Sequence, residues 1–426
     1  MTGAYMPRSV ELFAGGGGMA IGMFNAGFEH EQLVERDPRA CHILRVNADR
    51  SPDLWKREHV READVRTWLK EVPDLGLEGI DLVAGGPPCQ PFSISGAHAG
   101  ENDERNMFPA SVEAVRILKP KCFVFENVPG LLRPTFKPYY DYIADWLTKP
   151  SVKPRSKDEH WTAHHSRILK TKRPGLSYKV HQQIIDAADI GVPQSRKRVF
   201  LVGIRTDLPG VDRWSAVQPT HTMDQLLREQ WITEAYWQRH RIKRPEIPER
   251  YRSRVELLRS TGDWADEELA WRTTRDAISD LPPPKDNVDI PTVLNHRGIP
   301  GARVYARHRG GWIDWPAKTL KAGVHGVAGG EAMIRFQDDS VRYLTVRESA
   351  RIQTFPDDYE MPGTRTAAMR ALGNAVAVAV AAEVGRRLRV VLDDEPLEQQ
   401  PLPQPVPAQR RLAAGGKGAG PAYARC

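Results

Sequence analysis

The sequence predicts an α/β fold: a mostly parallel sheet with helices on both faces, joined to a smaller irregular domain. Residues 9–126 alternate short apolar runs with helix-compatible stretches, which is the pattern of β-α units. A glycine-rich segment follows the first apolar run, as expected where a strand turns into a helix. The alternation is lost between residues 214 and 316, which are rich in Arg, Trp and Pro. That stretch predicts the second domain.

Composition narrows the class of protein. The chain has 426 residues, of which 40% are hydrophobic and 27% charged. No apolar run approaches the roughly 18 residues of a membrane span, and the amino terminus lacks a secretory signal, so we expect a cytoplasmic protein without membrane contact. The four cysteines lie far apart, so neither a disulfide framework nor a metal site is expected. The net charge of +7 weakly favours a polyanionic partner.

The predicted elements follow in chain order. Strands are expected at residues 10–13, 80–84, 122–125, 178–185 and 198–204, and late helices at residues 345–354 and 376–392. Residues 149–179 carry nine Lys or Arg against two Asp or Glu, with Trp161 and three histidines. We interpret this segment as an exposed excursion that could follow a phosphate backbone. The composition after residue 393 predicts a disordered tail.

The first glycine-rich segment predicts a nucleoside-binding turn. Gly15, Gly17 and Ala20 fit the spacing of the dinucleotide fingerprint, and Glu35 follows Gly15 by twenty residues, after a second apolar run. Glycine lets a ligand approach the backbone, and an acid at that position can accept hydrogen bonds from both ribose hydroxyls. The motif does not specify the cofactor. An ordinary tight turn is the alternative.

A second loop presents a cysteine. Two glycines and two prolines, residues 85–88, follow the apolar run at 80–84 and precede Cys89. Ligands of open α/β sheets bind at the carboxyl ends of the strands. A lone cysteine is usually a small buried hydrophobic residue, but this rigid surrounding favours a nucleophile.

Two further motifs carry ionisable groups. Glu126 ends an apolar strand, so burial should raise its pKa and let it donate a proton or hydrogen bond at neutral pH. An exposed acid, or a carboxylate that accepts backbone N–H groups, is the alternative.

In Gln194-Ser195-Arg196-Lys197-Arg198 the alternate arginines share one face, and we expect at least one guanidinium to turn inward toward a carboxylate, phosphate or base. A solvated charge run is the alternative.

In this order, the motifs resemble those of the cytosine-5 DNA methyltransferase family, over most of the chain outside residues 214–316 and the tail. After residues 214–316, the resemblance to the family's motifs resumes at Arg342–Arg351, Gln353–Asp357 and Gly373–Val376. The family usually has proline after Gly-Asn-x-Val, whereas this chain has Ala377. Because alanine suits a helix, we do not expect this departure to abolish activity.

The resemblance implies a Rossmann-like domain that uses S-adenosylmethionine. The residues that it assigns to the cofactor are Phe13, Ala14, Gly15, Gly17, Gly18, Glu35, Arg36, Asp64, Val65, Pro88, Phe108, Asn374 and Val376. It also implies four parts of the chain: a catalytic and cofactor-binding domain at 1–213, a target-recognition domain at 214–316, a return segment at 317–393 and the tail at 394–426.

The resemblance also implies the chemistry. The Cys89 thiolate adds to C6 of cytosine, which makes C5 nucleophilic toward a sulfonium methyl group. Glu126 donates a proton or hydrogen bond to N3, and Arg198, with Arg196, holds the base or its phosphate. The base that removes the C5 proton is not identified, and water is one candidate.

Double-stranded DNA is the implied partner, with the target nucleotide flipped into the pocket. The predicted DNA contacts are Gln90, Ser93, Gln194, Arg297, Arg303, Arg307 and Arg309, with phosphate anchoring as the alternative to base reading for each arginine. A separately acting restriction endonuclease is a possible further partner, and a monomer is expected. The target sequence and the biological setting (restriction–modification, solitary or phage-borne) stay open.

Three other functions are weighed against this one. A tRNA cytosine methyltransferase shares the catalytic core, but such members have a cysteine in the recognition region, and residues 214–316 contain none. A dinucleotide-dependent redox enzyme leaves the Cys89 loop and the arginine motif unexplained. A catalytically inactive DNA-binding protein is disfavoured because Cys89 and Glu126 are both present.

Overall fold

A seven-stranded sheet forms the centre of the molecule. The computed structural model describes residues 5–88, 106–156, 158–173, 175–262, 268–304, 309–322 and 332–393. The strands of the sheet are β1 (Arg8–Leu12), β2 (Glu29–Glu35), β3 (Val60–Glu62), β4 (Leu82–Gly85), β5 (Cys122–Asn127), β6 (Tyr178–Asp186) and β7 (Lys197–Arg205). Their order is β3-β2-β1-β4-β5-β7-β6, and only β7 runs antiparallel to its neighbours. The predicted mostly parallel sheet is confirmed.

Helices cover both faces of this sheet. In the first half of the chain they are α1 (Gly18–Asn25), α2 (Pro38–Arg50), α3 (Val65–Glu71), α4 (Phe108–Leu118), α5 (Lys137–Thr148) and α6 (Trp161–Lys170). Alternate residues of β5 point to opposite faces. Phe123 and Phe125 pack in the cluster that contains α3 to α6, whereas Cys122 and Val124 pack on the other face. The continuous apolar run of β5 therefore reflects burial on both sides.

The strand order locates a crevice. β1 lies between β2 and β4, and the connections leave it in opposite directions across the sheet. Open α/β sheets bind ligands at such a reversal, outside the carboxyl ends of the strands. The turn after β1 and the loop after β4 both begin at this edge.

The region between residues 214 and 316 is more helical than predicted. It contains β8 (His221–Thr222), α7 (Met223–Trp231), α8 (Ala235–His240), α9 (Glu249–Thr261), β9 (Leu269–Ala270), α10 (Thr274–Ile278) and β10 (Gly311–Trp312). Trp231, Tyr236 and Trp237 are buried in a cluster of their own with Val255. These short helices are held by aromatic packing rather than by long apolar repeats, so the periodicity of the sequence did not predict them. The predicted domain boundaries stay a prediction.

The predicted excursion at residues 149–179 is folded rather than fully exposed. Its helix α6 packs on α5, and His164 and Ile168 are completely buried. Tyr142 and His164 are joined by a hydrogen bond of 2.9 Å. Because the segment is rich in charged residues, its sequence alone did not indicate this aromatic and apolar face.

The last part of the chain returns to the sheet. Its elements are β11 (Met333–Arg335), β12 (Val341–Tyr343), α11 (Val346–Ile352), α12 (Arg365–Asn374) and α13 (Val378–Leu392). Helix α12 was not predicted, and α13 begins two residues later than expected because Ala375 and Ala377 are extended. Residues 365–392 are apolar enough by length and composition to span a membrane, but they form two mostly buried helices, and core helices meet the same criterion.

Helix α13 packs directly on α1. A Cβ on Gly22 would lie 2.7 Å from the carbonyl oxygen of Val378 and would also clash with Ala381. A Cβ on Gly18 would lie 3.1 Å from the Cβ of Ala375 and would clash with the carbonyl oxygen of Val376. Glycine is therefore required here for contact between two parts of the chain that are far apart in sequence.

This contact predicts the effect of Gly22→Ala. The added methyl group would push α13 away from α1, so we expect a loss of about 2 kcal/mol of stability and a lower apparent Tm in thermal unfolding. Gly311→Ala is the control, because its nearest contacts would lie at 3.9 Å. An unchanged Tm for Gly22→Ala would contradict the tight packing.

Candidate active site

The turn after β1 forms one wall of the site. Phe13, Gly15 and Gly17 all have positive φ angles, of 57°, 54° and 85°. Among the residues that the structure describes, a Cβ on Gly15 would meet only the carbonyl oxygen of Phe13, at 3.9 Å. A Cβ on Gly17 would lie 2.6 Å from the Tyr359 hydroxyl. Gly15 therefore leaves space for a ligand, whereas Gly17 makes room for the return segment.

Glu35, the last residue of β2, contacts this turn through its carboxylate. Its Oε2 accepts a hydrogen bond from the Gly15 N–H at 2.9 Å. Its Oε1 accepts from the Arg36 and Asp37 N–H groups at 2.7 and 2.8 Å. The structure thus brings Gly15 and Glu35 together, and the half-buried carboxylate holds the turn in place.

Asp64 lies at the amino end of α3. It accepts from the Arg66 N–H at 2.9 Å and from the Arg66 guanidinium at 2.9 and 2.8 Å. These hydrogen bonds lower the pKa of Asp64. The exposed Arg36 approaches the same carboxylate at 4.0 Å, and Val65 beside it is buried. Arg66 is a neighbour that sequence reasoning missed.

The other predicted cofactor residues come from three directions. Ala14 is buried and its N–H donates to the Val34 carbonyl at 3.2 Å. The Pro88 carbonyl accepts from Met107 at 3.3 Å, next to Phe108, whose ring is buried in the core. Asn374 is exposed and Val376 buried, beside Gly18.

Glu126 is the penultimate residue of β5 and lies at the same edge. It is 7% exposed, and its Oε1 lies 2.7 Å from Nε of Arg198. Burial raises the pKa of Glu126, while the positive charges of Arg198 and Arg196 oppose that shift. The expected direction of the shift and the inward turn of Arg198 are both confirmed. The group is a protonatable carboxyl whose charge state depends on its partner.

The loop after β4 is bonded to Asn127 and passes close to the Glu126 carboxyl. The Asn127 side-chain amide donates to the Pro87 carbonyl at 2.8 Å. A Cβ on Gly86 would lie 3.3 Å from Oε2 of Glu126. Glycine therefore lets the chain pass close to the carboxyl just before Cys89. Cys89, Gln90 and Ser93 themselves lie outside the described residues.

Arg196 does not have the surroundings expected of a residue that holds a base. It is buried, and its Nη1 donates to the Leu320 carbonyl at 2.8 Å. Its Nη2 donates to the Gly373 and Ala375 carbonyls at 2.8 and 3.0 Å. Burial lowers its pKa to about 9. These bonds give Arg196 a positioning role: it ties the arginine motif to the return segment.

Gln194 is likewise buried, so its predicted contact with DNA is wrong. Its Nε2 donates to Oε1 of Gln353 at 3.0 Å, and its Oε1 accepts from the Leu320 N–H at 2.9 Å. Both ends of the amide are therefore occupied within the protein. The spacing of the motif could not reveal partners more than a hundred residues away.

Three of the four arginines that were predicted to read DNA are described, and all three lie on the surface. Arg297, Arg303 and Arg309 are exposed, and Arg297 is 3.3 Å from Asp289. Arg307 lies outside the described residues. Their assignment to DNA stays a prediction.

Glu11 is a buried acid close to the glycine turn that sequence reasoning missed. It lies on β1, two residues before Phe13, and is almost completely buried. Within the described residues its Oε2 has no hydrogen-bond partner, and burial raises its pKa well above the ordinary range. An acid inside an apolar strand was the signal that could have revealed it.

The pKa of Glu126 makes stability depend on pH. Because the folded-state pKa is raised above 4.5, the protonated carboxyl contributes stability that is present below that pH and lost as the pH rises through the folded-state pKa. Gln is neutral throughout, so Glu126→Gln should become more stable relative to the unmodified protein between about pH 5 and about pH 8. Apparent Tm values at both pH values test this expectation.

Glu159→Gln is the control for that experiment. Hydrogen bonds from Arg167 lower the pKa of Glu159 to about 2, so its contribution is present above the ordinary pKa and lost only in stronger acid. This variant should be less stable by nearly the same amount at both pH values. An identical pattern for Glu126→Gln would contradict the raised pKa.

Comparison with known proteins identifies the family. The profile of the C-5 cytosine-specific DNA methylase family matches residues 7–149 and 157–389. The type II methyltransferase M.NgoMIV of Neisseria gonorrhoeae is 32% identical over 393 residues, which cover 91% of this chain and 98% of the relative. The type II methyltransferase M.Eco47II of Escherichia coli is 30% identical over 393 residues, covering 90% and 79%.

Solved structures show the same fold. A mutant of DNMT2 from Spodoptera frugiperda superimposes with a TM-score of 0.52 at 16% identity, covering 91% of this chain and all of that one. The methyltransferase EhMeth of Entamoeba histolytica also gives a TM-score of 0.52 at 16% identity, covering 92% and 100%. With the family profile matching most of its length, the chain belongs to the C-5 cytosine-specific DNA methylase family.

Proposed function

We propose that this protein transfers a methyl group from S-adenosylmethionine to C5 of a cytosine that is flipped out of a specific duplex DNA sequence. The buried pair of Glu126 and Arg198 carries the proposal, because it places a protonatable carboxyl and a fixed cation beside the loop that leads to Cys89. Membership of the cytosine-5 methylase family supports the reaction class.

The residues of the first wall fit a nucleoside cofactor. The open space at Gly15 lets a ligand approach the backbone, and the Glu35 carboxylate beside it can accept hydrogen bonds from ribose hydroxyls. Asp64 lies at the end of the neighbouring strand β3, where it can face an adenine. When bound, S-adenosylmethionine supplies an electrophilic methyl group on sulfur.

Cys89 would act as the nucleophile. Its thiolate adds to C6 of cytosine, and the electron pair of the C5–C6 double bond moves so that C5 can form the new bond to the methyl carbon. Loss of the C5 proton then restores the double bond and expels the thiolate. The group that accepts this proton is not assigned to any residue of the chain.

Glu126 and Arg198 would act on the opposite side of the base. A protonated Glu126 donates to N3 and so stabilises the negative charge that develops when sulfur adds to C6. Arg198 holds Glu126 at 2.7 Å and can present its remaining N–H groups to the base. Arg196 is a positioning residue in this scheme.

The DNA partner and biological setting follow from the relatives. Both compared relatives are named type II methyltransferases, which favours a role in restriction–modification beside a separately acting endonuclease. We propose that the enzyme works as a cytoplasmic monomer, with residues 214–316 reading the target. A tRNA substrate on the same core is the second candidate, but the absence of cysteine from 214–316 speaks against it.

Bisulfite sequencing tests the reaction directly. Plasmid DNA from cells that express the protein should carry methylcytosine at one short motif, and Cys89→Ser should lower methylation by at least about a thousandfold because its hydroxyl is a far weaker nucleophile. Ser111→Ala, a substitution on α4, is the control for expression and handling. Unmodified DNA with soluble, cofactor-binding protein would redirect the proposal to RNA.

Cofactor affinity tests the role of Glu35. Glu35→Ala removes the acceptor for the ribose and the anchor of Gly15, so the Kd for S-adenosylmethionine should rise by about 10- to 100-fold. Glu31→Gln, on the same strand but paired with Arg8, should leave that Kd unchanged. Isothermal titration calorimetry measures both. Equal affinities for all three proteins would remove Glu35 from the cofactor site.

A further inference from the structure

The net positive charge of the chain resides in the basic segment, residues 149–179. The whole sequence has 61 Lys or Arg and 54 Asp or Glu, and the segment contains nine and two of them. Outside the segment both totals are therefore 52. The formal charge of +7 belongs to these 31 residues, while the rest of the chain is neutral overall.

The basic segment is a built platform. The Trp161 ring lies 5.5 Å from the rings of both Tyr139 and Tyr142 on α5. The buried His164 bonds to the Val152 carbonyl at 2.7 Å. Lys149 Nζ donates to two carbonyls at the carboxyl end of α6, each at 2.9 Å. These contacts hold the backbone of the described parts of the segment, from which the charged side chains project.

Several cations on this platform lack an acidic partner. Glu159 is occupied by Arg167, with two hydrogen bonds of 2.9 and 2.7 Å, and Lys179 pairs with Asp212 at 2.7 Å. The exposed cations of the segment that form no ion pair within the described parts of the chain are Lys153, Arg155, Lys170, Lys172 and Arg173. Their charge is available to an external anion.

The carboxyl end of the platform lies away from the active site. Tyr178, just beyond Arg173, donates to the Pro120 carbonyl at 2.7 Å, at the start of β5. Glu126 lies at the other end of that six-residue strand, about 20 Å away for extended backbone. Lys170 and Lys172 therefore belong to a different surface from the crevice.

We propose that the basic segment is a second, sequence-independent surface for duplex DNA, which contacts the phosphate backbone outside the target crevice. The inference rests on the proposed function, which supplies DNA as the partner. Lysine and arginine that neutralise phosphates release counterions, and this contribution to affinity is independent of base sequence. The surface would retain the enzyme on long DNA before and after it engages a target cytosine.

The test compares Lys170→Gln/Lys172→Gln with a charge-matched control, Lys56→Gln/Lys70→Gln, at exposed positions outside the segment. Fluorescence anisotropy measures binding to a random duplex of about 60 base pairs over a range of salt concentrations. Loss of two phosphate contacts should weaken binding about tenfold and reduce the slope of log K against log salt by about 2. The control should match the unmodified protein.

A second readout separates this surface from the crevice. On a duplex of about 10 base pairs, which extends only about 17 Å to either side of a central target, turnover by the segment variant should stay within about twofold of the unmodified protein. A salt slope equal to that of the control would overturn the proposal. So would an equal loss on short and long duplexes, which would place the segment in the crevice, or a loss confined to single-stranded RNA.

Failure of the proposed function would give a different result in these assays. No methyl transfer by the unmodified protein on any duplex would refute the reaction, whereas the binding comparison gives the same answer whether or not transfer occurs. Circular dichroism melting of both variants verifies that they are folded.

Discussion

The packing of the return segment against the first glycine turn is the constraint on which the site depends. Gly18 and Gly22 leave no room for a side chain, because Val376 and α13 lie directly on them. The glycine turn thus has two functions: Gly15 leaves space for a ligand, and the glycines that follow it leave space for the return segment to pack. One wall of the crevice exists only when residues separated by about 360 positions are packed together.

Two buried arginines join the return segment to other parts of the chain. Arg196 bonds to three carbonyls of the return segment. Arg347, completely buried, donates to the carbonyls of Leu294, Pro356 and Tyr359. Burial lowers the pKa of Arg347 to about 10. A planar guanidinium can satisfy several carbonyls at once, which makes arginine suited to joining segments that lack regular pairing.

The carboxyl groups of the site have different electrostatic surroundings. Glu35 accepts three backbone hydrogen bonds on a half-buried turn, and Asp64 is held by Arg66. Glu126 is buried beside the Arg198 guanidinium, and its burial raises its pKa despite the positive charges nearby. The same chemical group therefore serves as an acceptor in one wall of the crevice and as a prospective donor in the other.

Local sequence patterns were enough to predict the α/β class, five of the seven strands of the sheet, the glycine turn with Glu35, and the burial of Glu126, because periodicity and strand ends depend on neighbouring residues. The inward orientation of Gln194 and Arg196, the buried face of α6 and the lack of a hydrogen-bond partner for Oε2 of Glu11 among the described residues became apparent only in the folded chain. These outcomes depend on segments such as residues 320–376, which meet the motifs only after folding. Spacing in one chain cannot specify such long-range partners.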